Sequence, residues 1–503
     1  MLNGGARPDR DYPRLIADIR SGRINVRDPG ERGLADRPDR GGDRGPEGGR
    51  GHRARFSTTT DRWGAKASGA SMRTYDCAQH DLIMDEQQEI MSTKQLALEG
   101  IRVIDMTRVF AGPMSAQILG DLGADVIKVE RPGSGDEGRA YGLASVEGKD
   151  GKDLRQSGFF TASNRNKRSI TVDHSKPEGQ DILRALVKTA DVLIENYKVG
   201  DLKRFGLDYE SLKAINPRLI YCSITGFGQT GPMAARAGYD GLFQASGGMM
   251  AVTGIPEGQP GAGPVKAGPS LVDFVTGHNS AIAILAALNH RNSTGEGQHI
   301  DMALLDSSVA MICHIMQDYL INGVQPERLG NGGNGGGPAD LIHARDGMTY
   351  LTAGSDVHWR RMSELMGQPE LYADPRFNTN AKRAKTNRAE LIDIINVWSR
   401  QFTTEELQAK FDSVGIPAAR YNDLAEVWDD PQVQHRGLRA TTPHVWAAAG
   451  SVDLIGSPLA GMGATPATIR RAPPLIGEHN AEILAELGYD AARIAGLQEQ
   501  AII

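Results

Sequence analysis

An α/β fold, a parallel sheet covered by helices, is the class that this 503-residue sequence predicts. Three observations carry it. Short apolar runs of strand length alternate with longer helical patterns from about residue 101 onward, which is the signature of β-α-β units. The first of the strand-like runs, Ile101-Arg102-Val103-Ile104-Asp105, reads as a short strand of the buried type. The composition, 40% hydrophobic and 23% charged, is ordinary for a chain long enough to hold two or more sizeable cores.

The alternation opens with Ile101–Asp105 as a strand, a helix from about Pro113 to Leu122, and a second strand from Asp125 to Glu130. It continues with strands at Arg168–Val172, Asp191–Glu195 and Arg218–Thr225, separated by a helix over Pro177–Thr189 and a short one near Leu202. Ala281–Arg291 reads as a strongly apolar helix, and Ile300–Asp306 as a strand leading into another helix. Leu329–Pro338 is too rich in glycine to enter any regular element, so it is a loop. A second unit follows: a strand at Thr349–Thr352, helices at Val357–Met366 and Arg388–Gln401, and a capping box at Thr403–Glu406. The tail from Asp453 to Asn480 is turn-rich and precedes a last helix ending at Leu487, with Gly488 as its cap. The domain boundaries expected from this pattern are 93–328 for the large domain, 329–343 for the loop and linker, 344–430 for a smaller α/β domain, and 431–503 for the tail.

Residues 1–92 differ from all of this. The first 55 contain thirteen Arg, eleven Gly and no Lys, with no sustained period, and cannot bury enough surface to offset the entropy of ordering. They are expected to be a disordered basic arm or an upstream reading that precedes a native start at Met91.

Several function classes are excluded or weakened by the totals. A net charge of −6 and an isoelectric point near 6.1 argue against nucleic acid as the main partner. Cys77, Cys222 and Cys313 are scattered thiols with no metal-binding spacing, so neither a zinc site nor a disulfide framework is expected, and a cytoplasmic location fits. The longest unbroken apolar run, Ala281–Leu288, is far shorter than the roughly 18–20 residues that span a bilayer. No membrane partner is expected.

The turn after the first strand, Thr107–Pro113, has one glycine where a dinucleotide-binding turn needs three, which disfavours a nicotinamide or flavin enzyme despite Glu130 at the end of the second strand. Basic residues do gather at strand ends: Arg131, Lys167, Arg168, Lys176, Lys198 and Arg204. In open parallel sheets ligands lie at that edge, so the set together is a candidate polyphosphate cradle, although each residue alone is as well explained as a solvated charge.

The most suggestive acid is Asp273, in Ser270-Leu271-Val272-Asp273 directly before the apolar helix. Ser270 and Asp273 match a capping box, in which the acid only satisfies helix-end donors. The same position also favours an ionised carboxylate, which nucleophilic attack on an acyl group requires. Spacing leaves both readings open.

A run of motifs in order bears on the choice: Leu98–Asp105, Ala111-Gly112-Pro113, Gly123–Gly133 with its Glu130-Arg131-Pro132-Gly133, Asn166–Ile170, Glu195-Asn196-Tyr197, Ala287–Arg291 with Thr294–Gln298, and Gly477-Glu478-His479. Over about residues 97–500 this order resembles the class III CoA-transferase family, the group of formyl-CoA transferase, carnitine CoA-transferase and α-methylacyl-CoA racemase.

The resemblance implies a Rossmann-like large domain built from both chain ends, a smaller domain between, and an interlocked homodimer. It implies that Asp273 is the nucleophile, that Asp240 is an acid near the active site, and that Gly335, Gly336 and Gly337 belong to a mobile loop shielding the intermediates. Arg131, Asn196, Tyr197 and Arg204 fall where members hold coenzyme A, with Arg108, Val109 and Ala111 lining the first loop. Coenzyme A enters as a substrate; no tightly bound cofactor is implied.

Two departures narrow the activity. Phe110 stands where formyl-CoA transferases carry glutamine, and Tyr239 where the racemases carry a catalytic histidine. Racemisation needs bases on both sides of a carbon, whereas transfer needs a carboxylate, a thiolate and shielding from water. The expected function is CoA transfer from an acyl-CoA to a carboxylic acid through aspartyl anhydride and aspartyl-CoA thioester intermediates. A racemase or epimerase, and a non-catalytic CoA-binding protein, are the alternatives.

Overall fold

The computed structural model describes residues 95–333 and 335–503. The expectation for residues 1–92 lies outside the described residues.

The centre is a six-stranded sheet. Its strands are β1 (Arg102–Asp105), β2 (Asp125–Glu130), β3 (Lys167–Thr171), β4 (Val192–Glu195), β5 (Ile220–Thr225) and β6 (His299–Ala303). Their spatial order is β6-β5-β4-β1-β2-β3, and every neighbouring pair is parallel. The strand order therefore reverses between β1 and β4, the topological switch point at which doubly wound sheets leave a crevice outside the strand C-termini.

The inner strands are buried on both faces because two cores flank them. One face of β1–β5, through residues such as Ile104, Ile127, Ile170 and Leu193, meets the helix Pro177–Val187 and the chain end, including Ile483, Leu484, Leu497 and Ile502. The other, through Val103, Val126, Val192 and Ile220, meets helices α1 (Ala111–Asp121) and, later in the chain, Leu271–Thr294. With α2 (Pro177–Val187), α3 (Asp240–Ser246) and α4 (Leu271–Thr294), these helices cover the sheet.

Helix α4 is longer than its sequence pattern predicted. The apolar stretch expected as a helix at Ala281–Arg291 and the candidate acid at Asp273 lie on one 24-residue helix. By length and mean hydropathy (1.5) it could cross a membrane, but half of its most apolar window is buried against the rest of the molecule, as in a core helix. Gly277 allows that burial, since a Cβ there would stand 2.7 Å from the Ala111 carbonyl oxygen. The two helices meet closely at this point, and Asp273, four residues earlier, lies on the same face as Gly277.

A short helix, α5 (Leu304–Met311), follows β6 as expected, and α6 (Cys313–Asn322) follows it. A separate antiparallel sheet then forms from β7 (Ala339–His343), β8 (Met348–Thr352) and β9 (Ala418–Arg420). Its first strand occupies the end of the stretch expected as linker. Helices α7 (Asp356–Leu365), α8 (Arg388–Ser399) and α9 (Thr404–Ser413) pack on it through Trp359, Ile395, Leu407 and Phe411. Thr403 and Glu406 form the expected capping box at α9.

The tail holds more structure than its turn-rich sequence indicated: a hairpin of β10 (Arg439–Pro443) and β11 (Ser451–Ile455), then α10 (Asn480–Glu486) and a further helix, α11 (Ala491–Glu499). It returns to the large sheet. His479 N–H donates to the Ser169 carbonyl, and the Asn480 side chain accepts from Thr171 N–H, so the open edge of β3 is covered.

Candidate active site

The crevice at the switch point is a real cavity. It encloses about 340 Å³, and its walls include the loop after β1 (Arg108, Val109, Phe110, Ala111), the loop after β4 (Asn196 to Val199), the segment Ala234–Tyr239, and Asp273. Segments distant in sequence meet there because β1 and β4 are adjacent but their connections leave in opposite directions.

Two clamps shape the first loop. The Asn196 side chain accepts from Arg108 N–H (3.0 Å) and donates to the Arg108 carbonyl (2.8 Å), reading both backbone groups of one residue. Val109, a β-branched residue, is held at φ +73°, a left-handed conformation that costs on the order of 1–2 kcal/mol. Its N–H is taken by Asp136 Oδ1 at 3.0 Å, and Asp136 is in turn paired with the buried Lys128 at 2.8 Å. The Arg108 guanidinium lies 5.0 Å from the centre of the Tyr197 ring.

At the other wall the capping box expected at Ser270–Asp273 is not formed, because Ser270 makes no side-chain cap. The helix start is capped from a distance instead. Asp240, 7% exposed, accepts from Val272 N–H (2.8 Å) and Asp273 N–H (3.2 Å), while its other oxygen accepts from Gln244 Nε2 (2.5 Å). Asp240 thus satisfies the donors that a local cap would have taken, and Asp273 keeps its carboxyl free to face the cavity.

The ionisation expected of Asp273 is corrected by the same geometry. Burial, and then the like charge of Asp240, push its carboxyl up to about 7, outweighing the helix terminus that favours the anion. The acid is therefore poised rather than fully ionised near neutrality. Tyr239, the residue before Asp240, lies on the cavity wall and is 63% exposed; no histidine is among the walls.

The structure brings together Asp273, Asp240, Arg108, Val109, Ala111, Asn196 and Tyr197. It does not bring the remaining expected residues to this cavity. Lys176 donates to the carbonyls of Gln500 (2.7 Å) and Ala501 (3.3 Å), so its charge is occupied by the chain end. Arg204 is exposed and pairs with Asp201 at 3.1 Å. Arg131 is exposed at the end of β2 and is not on the wall, although its charge is felt by Tyr197. Gly335, Gly336 and Gly337 lie with the smaller sheet: Gly337 N–H donates to Asn380 (2.8 Å) and its carbonyl accepts from Arg383 (2.8 Å). Within this chain they do not cover Asp273.

Two of the strand-end cations are structural. Lys167 is fully buried and bonds to Asp105, Asn164 and the Pro113 carbonyl, and Arg168 is shared by Asp125, Glu482 and Glu486. Glu130, which invited the dinucleotide reading, is paired with Arg139 at 2.7 Å. One cation on the wall was not singled out in the sequence: Arg236. Its signal was a lone charge in the small-residue run Ala234-Ala235-Arg236-Ala237-Gly238. Among the described residues no group of His, Cys, Asp and Glu is arranged to hold a metal ion.

A doubly wound sheet with a poised carboxyl and several cations at its switch point has the parts of an enzyme that handles an acyl group on an anionic carrier. The chain belongs to CoA-transferase family III, whose model matches residues 98–480. In reaction class it is an acyl-CoA:carboxylate CoA-transferase. It is 44% identical over 398 residues to the succinate–glutarate CoA-transferase of Agrobacterium fabrum, covering 79% of this chain and 97% of that protein. It is 37% identical to the human succinyl-CoA:glutarate CoA-transferase, over 81% of this chain and 90% of that one. A crystal structure of a CAIB/BAIF family protein from Brucella suis superposes with a TM-score of 0.69 at 42% identity, over 78% of this chain and all of that one.

Proposed function

We propose that the enzyme transfers coenzyme A between two small dicarboxylic acids of the succinate and glutarate type, with Asp273 as the covalent carrier. The observation that carries this reading is the free carboxyl of Asp273 on the wall of the switch-point cavity, with Arg108, Lys198 and Arg236 around it. Relatives at 37–44% identity act on succinyl or glutaryl partners. The three cations suit a thioester carrier with phosphates and an acid with a second carboxylate.

In the proposed sequence an oxygen of Asp273 attacks the thioester carbonyl, the carbon–sulfur bond breaks, and a mixed anhydride and CoA thiolate result. The thiolate attacks the aspartyl carbonyl and expels the donor as its carboxylate, leaving an aspartyl-CoA thioester. The acceptor carboxylate then attacks that thioester and releases the thiolate, forming a second anhydride. Attack of the thiolate on the acceptor's acyl carbon completes the exchange and returns the Asp273 carboxylate. No proton is consumed. Helix α1 begins on the cavity wall at Ala111, and the N–H groups of its first turn are the donors assigned to the oxyanions in this proposal.

The large and small domains and an interlocked homodimer belong to the same proposal. Helix α6 has no buried residue, and its Leu320 and Ile321 are 68% and 74% exposed, apolar surface that a second copy would cover. Such a partner is also the means by which glycines 335–337 would reach an Asp273. A reducing cytoplasm suits the free thiols Cys222 and Cys313. The test is an exchange assay: succinyl-CoA and glutarate should give glutaryl-CoA and succinate. Exchange of a substrate α-proton with deuterated water in the absence of any acceptor acid, without transfer, would favour a racemase instead.

A further inference from the structure

Glu195 ends β4 and is 5% exposed, yet among the described residues no Lys or Arg is hydrogen-bonded to it. Asp105 and Glu130, comparably buried in the sheet, and Asp121 at the end of α1 each face a cation. An unpaired buried carboxyl is costly and calls for a reason.

Its partners supply one. One oxygen accepts from Tyr197 N–H at 2.8 Å, closing the turn that carries Asn196. Ser223 is directly opposite in the parallel ladder, where its hydroxyl offsets part of the cost of charging the Glu195 carboxyl, and that hydroxyl lies 2.9 Å from His299 Nε2. The His299 ring stacks on Tyr209, 5.1 Å away and tilted by 17°. A polar line thus runs His299, Ser223, Glu195, Tyr197 amide.

This line ends at a partition. Lys198 and Val199 form part of the wall of the Asp273 cavity and also part of a second cavity of about 260 Å³ that holds Glu195, Ser223 and His299. Lys198 and Val199 are therefore the part of the segment Asn196–Val199 with open space on both sides, and the Glu195 bond to Tyr197 N–H ties that segment to the sheet.

We propose that Glu195 is a positioning residue for the active-site wall Asn196–Val199, acting through the Tyr197 amide and backed by Ser223 and His299. It rests on the reading of the Asp273 cavity as the CoA-thioester site. Through Asn196 the effect extends to the Arg108–Val109 loop on the other side of the substrate space. The line can reverse direction. With Glu195 ionised, Ser223 donates to it and can accept from His299; with Glu195 protonated, it donates to Ser223, which donates on to His299. Burial pushes the Glu195 carboxyl up to about 7, so both states are reached near neutrality. Lys198, Lys203, Asp208, Glu210 and His299 face the second cavity, and Tyr221 and Cys222 approach from β5. An ionised acceptor holds an amide more firmly than a neutral one, so the wall is tighter above pH 7.

The test compares wild type, Glu195→Gln and Glu195→Ala for CoA binding by calorimetry and for hydrogen exchange of the peptide spanning 196–199, at pH 6 and pH 8. Glu195→Ala should weaken CoA binding about tenfold at pH 8, the scale of a lost hydrogen bond to a charged group, and accelerate exchange at 196–199. In turnover the effect should fall more on KM for the thioester than on kcat. Glu195→Gln, isosteric and expected to fold, should match wild type at pH 6 and fall behind it at pH 8. Wild-type exchange and affinity in both variants at pH 8 would overturn the proposal. If wild type fails to bind CoA at all, the reading of the cavity fails, while the exchange data still decide the role of Glu195.

Discussion

Asp273 sits at the start of a helix that another acid caps. That arrangement separates two duties that local spacing alone would have assigned to one residue: Asp240 satisfies the α4 amides and Asp273 faces the cavity. Because the Asp273 carboxyl is pushed up to about 7 and the proposed attack on the thioester requires the anion, kcat/KM for the thioester should rise with pH and level off above about 7. Asp240→Asn, which removes the like charge, should move that rise toward lower pH. The same shift bears on stability. A carboxyl whose folded pKa lies above its unfolded value of 3.8 favours the fold while protonated and costs stability as pH climbs from about 4 to 7. Asp273→Asn should therefore raise stability at pH 8 by about 1–3 kcal/mol and leave it little changed at pH 4, measured by thermal or denaturant unfolding. The position of Asp273 before an apolar helix was legible in the sequence. The capping by Asp240 was not, since its donors lie more than 30 residues downstream and no local pattern links them.

Among the elements, the contact of α1 with α4 sets the width of the cavity. Gly277 brings the helices close, and any side chain there meets the Ala111 carbonyl. Gly277→Val should destabilise the fold by about 1–3 kcal/mol and lower kcat/KM, since the displaced helix carries Asp273 with it; unfolding and kinetics on one preparation check both. The element boundaries near the sheet were readable to within a few residues because its strands are short, carry Val, Leu or Ile within them and alternate with helical patterns. The hairpin of β10 and β11 escaped because its strands are half exposed and lack a long apolar run, and one carries Pro443. The cations Lys167 and Arg168 were misassigned for a related reason: a charge at a strand end looks the same in sequence whether it faces a ligand or a buried acid.

At the scale of the whole molecule, the alternation of strands and helices announced a parallel sheet but not its strand order. The reversal between β1 and β4 depends on which strands pair, and that reversal places Arg108–Ala111 beside Asn196–Val199. Asp273 comes to the same place because α4 packs on α1. Completion of the site is expected from a second copy: Leu320→Glu with Ile321→Glu should shift the protein to monomer in sedimentation and abolish transfer while leaving the monomer folded. The central claim is that Asp273 becomes covalently linked to CoA. Incubation with succinyl-CoA, followed by digestion and mass spectrometry, tests it most directly. A CoA adduct on the peptide carrying Asp273, converted to a hydroxamate by hydroxylamine, is the predicted result; full transfer activity in Asp273→Ala, with no adduct in wild type, would contradict it.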